Sequence, residues 1–198
     1  MERINTPAYD ESSILHMSSL EHIRLRSGMY IGRLGDGSHI DDGIYILLKE
    51  IIDNSIDEFV MGCGRTITVD VVNNKVSVRD NGRGIPLGKV IDCVSEINTG
   101  GKYSGEAFKY SVGLNGVGTK AVNALSSYFR VVSYREGLFS EASFIKGILK
   151  DKKEGKTTER NGVLIEFTPD EEIFGTYNYD ESFVIQRIEN YCFKSRRH

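Results

Sequence analysis

Residues 41–61 carry the pattern that most constrains this chain. At about 100° per residue, Ile44, Leu48, Ile51, Ile52, Ile56 and Phe59 share one side of a helix, and Glu50, Asn54, Asp57 and Glu58 share the other. Asp41 or Asp42 suits the start of such a helix as a cap. Gly62-Cys63-Gly64 suits its end. The apolar side needs a second layer to bury it. The polar side then turns a carboxylate and an amide, one turn apart, toward whatever lies above. Two glycine loops follow: Asp80-Asn81-Gly82-Arg83-Gly84-Ile85-Pro86 and Gly113-Leu114-Asn115-Gly116-Val117-Gly118-Thr119.

The flanking patterns identify the second layer. Residues 66–72 and 75–80 alternate polar and apolar positions around Asn73-Asn74, which predicts a hairpin with Asp80 at a strand end. Residues 129–134, 139–144 and 163–167 read as further strands. Helices are expected at 18–26, where Ser18 or Ser19 can cap, at 87–97, from Thr119 to Leu125, and at 180–191. Residues 150–161 read as a charged, solvated hairpin loop. Residues 98–118 lack periodicity, and a loop of that length inside a compact domain is usually functional, often a lid. Residues 1–17 read as an extended arm whose Ile14, Leu15 and Met17 need covering. The expected fold is α+β: a two-layer sandwich with helices on one face of a mixed, largely antiparallel sheet.

At 198 residues the chain suffices for one domain with a full core. A net charge of -3 argues against a surface that sheathes nucleic acid as a whole. Cys63, Cys93 and Cys192 show no metal spacing and suggest reduced thiols in a cytosolic protein. No apolar run reaches the roughly 20 residues that cross a bilayer.

Carboxylate, amide and glycine loops are the parts of a nucleotide site. A glycine loop running into a helix at Thr119 suits phosphate oxygens, although Thr119-Lys120 stands in the wrong order for a P-loop. Magnesium takes hard oxygen ligands and keeps several waters, so the Asn54 amide oxygen can suffice from the protein. Glu50 can then orient and deprotonate a water for attack on a γ-phosphoryl group. Asp80 accepts hydrogen bonds and suits the exocyclic amine of adenine. Each piece also has a plain structural reading: a polar helix face, a turn-initiating Asp, a helix cap.

In combination these motifs resemble the GHKL ATPases, which share the Bergerat fold. Glu50-x-x-x-Asn54-x-x-Asp57-Glu58, Asp80-Asn81-Gly82-Arg83-Gly84 and Gly113-x-x-Gly116-x-Gly118 match the family's three motifs. Residues 26–32, 80–86, 99–103 and 113–126 resemble one branch, the ATPase domain of bacterial type IIA DNA topoisomerases. The strings Asp41-Asp42-Gly43-Ile44-Tyr45 and Gly113-Leu114-Asn115 lean toward the topoisomerase IV type over gyrase B. A mismatch-repair clamp shares only the short motifs.

The resemblance implies Glu50 as general base and Asn54 as the Mg²⁺ ligand. It implies Asp80 on adenine, with Arg83, Gly84, Ile85 and Pro86 around the ring and Glu58 holding Arg83 in an ion pair. Gly101 and Lys102 would border the phosphates, and Asn115, Gly116, Val117 and Gly118 would wrap them. Tyr9 would reach the nucleotide from the arm at 1–17, which closes an ATP-dependent homodimer; residues 18–198 would form the ATP-binding domain. The implied partners are DNA, a DNA-cleaving A-type subunit and adenine-site inhibitors of the aminocoumarin kind, in the cytoplasm. Ser27 and Asn115 depart from the family's usual proline and histidine, and Val163 from a threonine that holds a water at the adenine edge. Phe108 stands near the position of a family tyrosine that can touch phosphate, so that contact is expected to be missing. The second subdomain, with its γ-phosphate lysine, would lie beyond residue 198, and residues 1–198 alone are expected to hydrolyse ATP poorly.

Overall fold

A computed structural model describes residues 17–97, 99 and 116–195. The helices are α1 (Ser19–Leu25), α2 (Gly28–Ile31), α3 (Gly43–Val60), α4 (Val90–Ser95), α5 (Gly118–Ala124), α6 (Glu171–Phe174) and α7 (Glu181–Ser195). The strands are β1 (Ile67–Val72), β2 (Lys75–Asp80), β3 (Ser126–Arg135), β4 (Leu138–Ile145), β5 (Ile148–Lys156) and β6 (Gly162–Pro169). They form one sheet in the order β1-β2-β6-β3-β4-β5. Every pairing in it is antiparallel, so the described sheet has none of the mixed character expected.

Side-chain alternation gives this sheet one dry face. Val76, Val78, Phe129, Val131, Ala142, Phe144, Ile165 and Phe167 are buried on it, against Ile44, Leu47, Leu48 and Ile51 of α3 and Ala121 and Val122 of α5. Charges occupy alternate positions between them and pair across strands. Arg130 reaches Glu166 at 2.6 Å and Glu141 at 2.8 Å, and Lys75 reaches Glu166 at 2.5 Å. The sheet is therefore apolar toward the helices and ionic on its other side.

Local chemistry accounts for the element ends. Ser18 opens α1 with a capping box, accepting from the Glu21 N–H while the Glu21 carboxylate accepts from the Ser18 N–H. Asn73 and Asn74 both adopt positive φ, at 51° and 61°, as a two-residue hairpin turn requires. Asp42 precedes α3 as expected, yet its carboxylate turns away from the helix and accepts from the N–H groups of Gly37 and His39. Helix α7 docks on α3 where the Tyr191 hydroxyl donates to Asp53, which Lys49 also meets at 2.5 Å.

Three further expectations are corrected. Residues 150–161 are not simply a hairpin loop, since residues 148–156 form β5, paired along β4. Their Lys150, Lys152, Lys153 and Lys156 hid the strand because an exposed edge strand carries charge instead of apolar alternation. Asp57 does not share the solvent-side polar row of α3: it is 0% exposed. Phe59, placed on the buried side, is 39% exposed, because the last turn of α3 runs past the edge of its cover. Residues 1–16, including Tyr9 and the proposed arm, lie outside the described residues. So do Gly101, Lys102, Phe108 and Asn115 of the expected lid.

Candidate functional site

The site forms where α3 passes beneath the start of α5 and the end of β2. On α3, Glu50 and Asn54 lie one turn apart on one face. The Asn54 Nδ2 donates to the Glu50 carbonyl at 2.9 Å and to Thr119 Oγ1 at 2.9 Å. The amide is thus tied to the first turn of α5 through its nitrogen, and its oxygen is the atom whose chemistry suits a hard cation. Among the described residues no cluster of His, Cys, Asp and Glu could cage a metal. The donor set fits Mg²⁺ held by one protein oxygen, phosphates and water, and it does not fit a tightly ligated transition metal.

Gly118 lets the Glu50 carboxylate approach the α5 backbone. A Cβ at position 118 would stand 1.9 Å from Glu50 Oε2 and 2.8 Å from its carboxyl carbon. Gly118→Ala therefore has to swing Glu50 aside. Displacing a reacting group by an ångström can cost about 10² in rate, so with Glu50 as the expected general base this variant is expected to lose hydrolysis by about that factor. Its melting temperature should hardly change, since the clash is with a side-chain tip. A fully active alanine variant would separate Glu50 from the chemistry.

Asp80 ends β2 and is 7% exposed. Its Oδ1 accepts from the Gly82 N–H at 2.8 Å and the Val163 N–H at 3.2 Å, and the Ser55 hydroxyl lies 3.3 Å from Oδ2. Burial raises the carboxyl pKa above 3.8, against these backbone bonds, which lower it. Both bonds orient the carboxylate so that Oδ2 retains accepting capacity. Val163 contributes through its backbone, so the missing hydroxyl at that position leaves this orientation intact.

Beyond Asp80 the chain turns sharply. Gly84 has φ +78°, and a Cβ there would come within 2.6 Å of the Tyr134 carbonyl. Ser133 donates to the Ile85 carbonyl at 2.7 Å and pins the loop to β3. Arg83 Nε and NH2 donate to the Glu58 carboxylate at 3.0 and 2.8 Å, and the Arg83 N–H donates to it at 2.9 Å. Burial raises the Glu58 pKa, but the Arg83 bonds outweigh it and hold it below 4.5. A folded pKa below the unfolded value means stabilisation fully present above pH 4.5 and lost as pH falls through the folded value. Glu58→Gln is expected to lower stability at neutral pH by about 0.5–1 kcal/mol, a modest figure because the Arg83 side chain is 38% exposed and screened. Melting curves on either side of pH 4.5 check this: the gap from wild type should close on the acid side.

Of the expected residues, the structure brings Glu50, Asn54 and Gly118 together at one end, with Gly116 and Val117 leading into Gly118. Asp80, Arg83, Gly84, Ile85, Glu58 and Val163 gather around the β2 end. Pro86 immediately precedes the 3-10 turn Leu87–Lys89. An open pocket of about 360 Å³ between Thr68, Arg79, Asn81 and Arg160 shares only Asp80 with this set. Sequence reasoning missed Ser55 and read Thr119 only as the start of a helix, without its bond to Asn54. A lone buried hydroxyl amid the apolar side of α3 was a usable signal for Ser55.

The pattern of the histidine kinase-, DNA gyrase B-, and HSP90-like ATPase family matches residues 39–172, which span α3, the turn after β2, the start of α5 and the sheet. The chain belongs to this ATPase family. It is 62% identical over 189 residues to the B-type subunit of DNA topoisomerase 4 from Borreliella burgdorferi, covering 96% of this chain and 32% of that protein. It is 38% identical over 199 residues to the B-type subunit of DNA gyrase from Streptococcus pyogenes, covering 95% of this chain and 30% of that protein. The crystal structure of the 43K ATPase domain of Thermus thermophilus gyrase B, in complex with an aminocoumarin, superposes with a TM-score of 0.70 at 31% identity. That match covers 86% of this chain and 44% of the other. The chain thus spans about a third of the length of the curated relatives it matches. Its six-stranded sheet and helical layer match the fold of the gyrase B ATPase domain. Among the described residues no helix is long and apolar enough to cross a membrane.

Proposed function

We propose that this chain is the ATP-binding and ATP-hydrolysing N-terminal part of a bacterial type II DNA topoisomerase subunit, in which ATP-driven dimer closure captures a DNA duplex for strand passage. The 62% identity over 96% of the chain to a topoisomerase 4 ATPase subunit carries this reading. Set against 38% for a gyrase B protein, it favours the topoisomerase IV type. The whole protein would work in the cytoplasm with a DNA-cleaving A-type subunit. Its arm at residues 1–17, with Tyr9, would close over a second copy.

In this reading Asp80 Oδ2 accepts from the exocyclic amine of adenine. Its backbone partners at Gly82 and Val163 keep it from rotating. Arg83, fixed by Glu58, flanks the ring together with Ile85 and Pro86, and Gly84 lets the loop turn there. Gly116, Val117 and Gly118 lie along the phosphates, and the family resemblance gives Gly101, Lys102 and Asn115 a phosphate-binding role as well. Asn54 Oδ1 would hold Mg²⁺, which when bound would supply positive charge to the phosphates. Glu50 takes the proton of a water as its oxygen attacks the γ-phosphorus, and the bond to the bridging oxygen breaks with its electrons going to ADP.

Calorimetric titration with non-hydrolysable ATP and GTP analogues tests the site. Adenine should bind at least about tenfold more tightly, because the guanine carbonyl would face the Asp80 carboxylate acceptor to acceptor. Equal affinities would remove Asp80 from base recognition. An aminocoumarin should compete with the ATP analogue, as expected from the Thermus neighbour. For the whole protein, ATP-dependent decatenation by the full-length chain with its A-type partner is the deciding assay.

A further inference from the structure

Lys120 has no part in the chemistry described above, yet it is the least expected charge in the fold. It lies in the first turn of α5 and is 3% exposed. A buried ammonium is tolerated where oxygens replace its lost water. Two carbonyls do so here: Nζ donates to Gly116 O at 2.5 Å and to Thr99 O at 2.7 Å. Methionine would fill similar volume with no desolvation cost, so packing alone does not call for lysine. The two carbonyls belong to residues on either side of the long glycine-rich segment, and one side chain ties both to α5.

Peptide geometry gives this tie a consequence. In a planar trans peptide the C=O and the following N–H point in opposite directions, and the described backbone contains no cis bond. Lys120 draws the Gly116 carbonyl toward itself, so the Val117 N–H faces away from it. Among the described residues no acceptor meets that N–H. At a helix start such an N–H has no intrahelical partner and is met by water, a side chain or a ligand. Val117 adjoins Gly118 and Thr119, which face Glu50 and Asn54. We propose that Lys120 is a positioning residue for the triphosphate: by holding the Gly116 and Thr99 carbonyls it aims the Val117 N–H as a donor to a terminal phosphate oxygen. This rests on the nucleotide reading above and assigns Lys120 no contact with the ligand.

The test compares two ligands, a non-hydrolysable Mg·ATP analogue and adenosine, which lacks phosphates. Lys120→Met should weaken the triphosphate analogue about tenfold or more, the loss expected on removing a charge-assisted bond. Adenosine binding should stay within about twofold. In the unmodified ¹⁵N-labelled chain, the Val117 amide resonance should move with the triphosphate and stay in place with adenosine. This second measurement tests the Val117 donor even where the variant does not fold. Equal losses for both ligands, unchanged triphosphate affinity, or a Val117 amide indifferent to the triphosphate would each overturn the assignment while wild-type binding stands. A wild-type chain that binds neither ligand overturns the nucleotide reading and the clamp together.

Discussion

Glu50→Gln is expected to slow ATP hydrolysis by about 10²- to 10⁴-fold, the contribution of a positioned general base, while nucleotide affinity stays within about threefold. Glutamine keeps the shape of the side chain that lies against Gly118 and removes only its basicity. Asn54, tied to Thr119 and to the Glu50 carbonyl, is untouched by the change. Single-turnover hydrolysis with a matched binding titration separates the two effects, because product release cannot then mask the chemical step. Preserved hydrolysis would place the base elsewhere. Parallel loss of binding would make Glu50 a structural residue of the α3–α5 contact.

Asp80→Asn is expected to cut adenine nucleotide affinity by about 10- to 100-fold without destabilising the fold. The amide oxygen can still accept from the Gly82 and Val163 N–H groups. Its NH₂ group, standing in place of Oδ2, would confront the adenine amine donor to donor. The stability effect has the opposite sign. Burial raises the Asp80 pKa above 3.8, so the folded state binds more protons than the unfolded one over that interval. Wild-type stability accordingly falls as pH rises from 3.8 through the folded value. The asparagine variant avoids that cost: its melting temperature should match or exceed wild type at neutral pH, with the advantage gone below pH 3.8. A variant that melts lower at neutral pH while still binding adenine nucleotide would refute both halves.

How much of this was legible beforehand differs by element. The extent of α3 was readable because its apolar residues recur with the helical period, and its end at Gly62 because a glycine there takes positive φ, 74°. The β1–β2 hairpin was readable from strict alternation around two asparagines. Strand β5 was not, because burial supplies the alternation signal and β5 is exposed nearly throughout. Asp57 was misplaced for a related reason. A single-face pattern assumes one covered side, whereas α3 contacts β2, α5 and α7 from several directions and encloses a residue the pattern assigns to solvent.

The candidate site divides along the same line. Glu50, Asn54 and Asp80 could be singled out because their residue types and spacings carry chemical meaning locally, and Gly118 because it opens a helix after a glycine loop. What holds them could not. The Val163 N–H reaches Asp80 across 83 positions because β6 pairs beside β2, and Thr119 reaches Asn54 across 65 because α5 crosses α3. Ser55 on Asp80 and Lys120 on the Gly116 and Thr99 carbonyls depend on the same crossings. Periodicity and turn chemistry are properties of neighbouring residues, so the chain alone determined its elements, their apolar faces and the residues able to do chemistry. Orientation of those residues comes from bonds between segments far apart in the chain, and only the order of strands and the stacking of helices decided it.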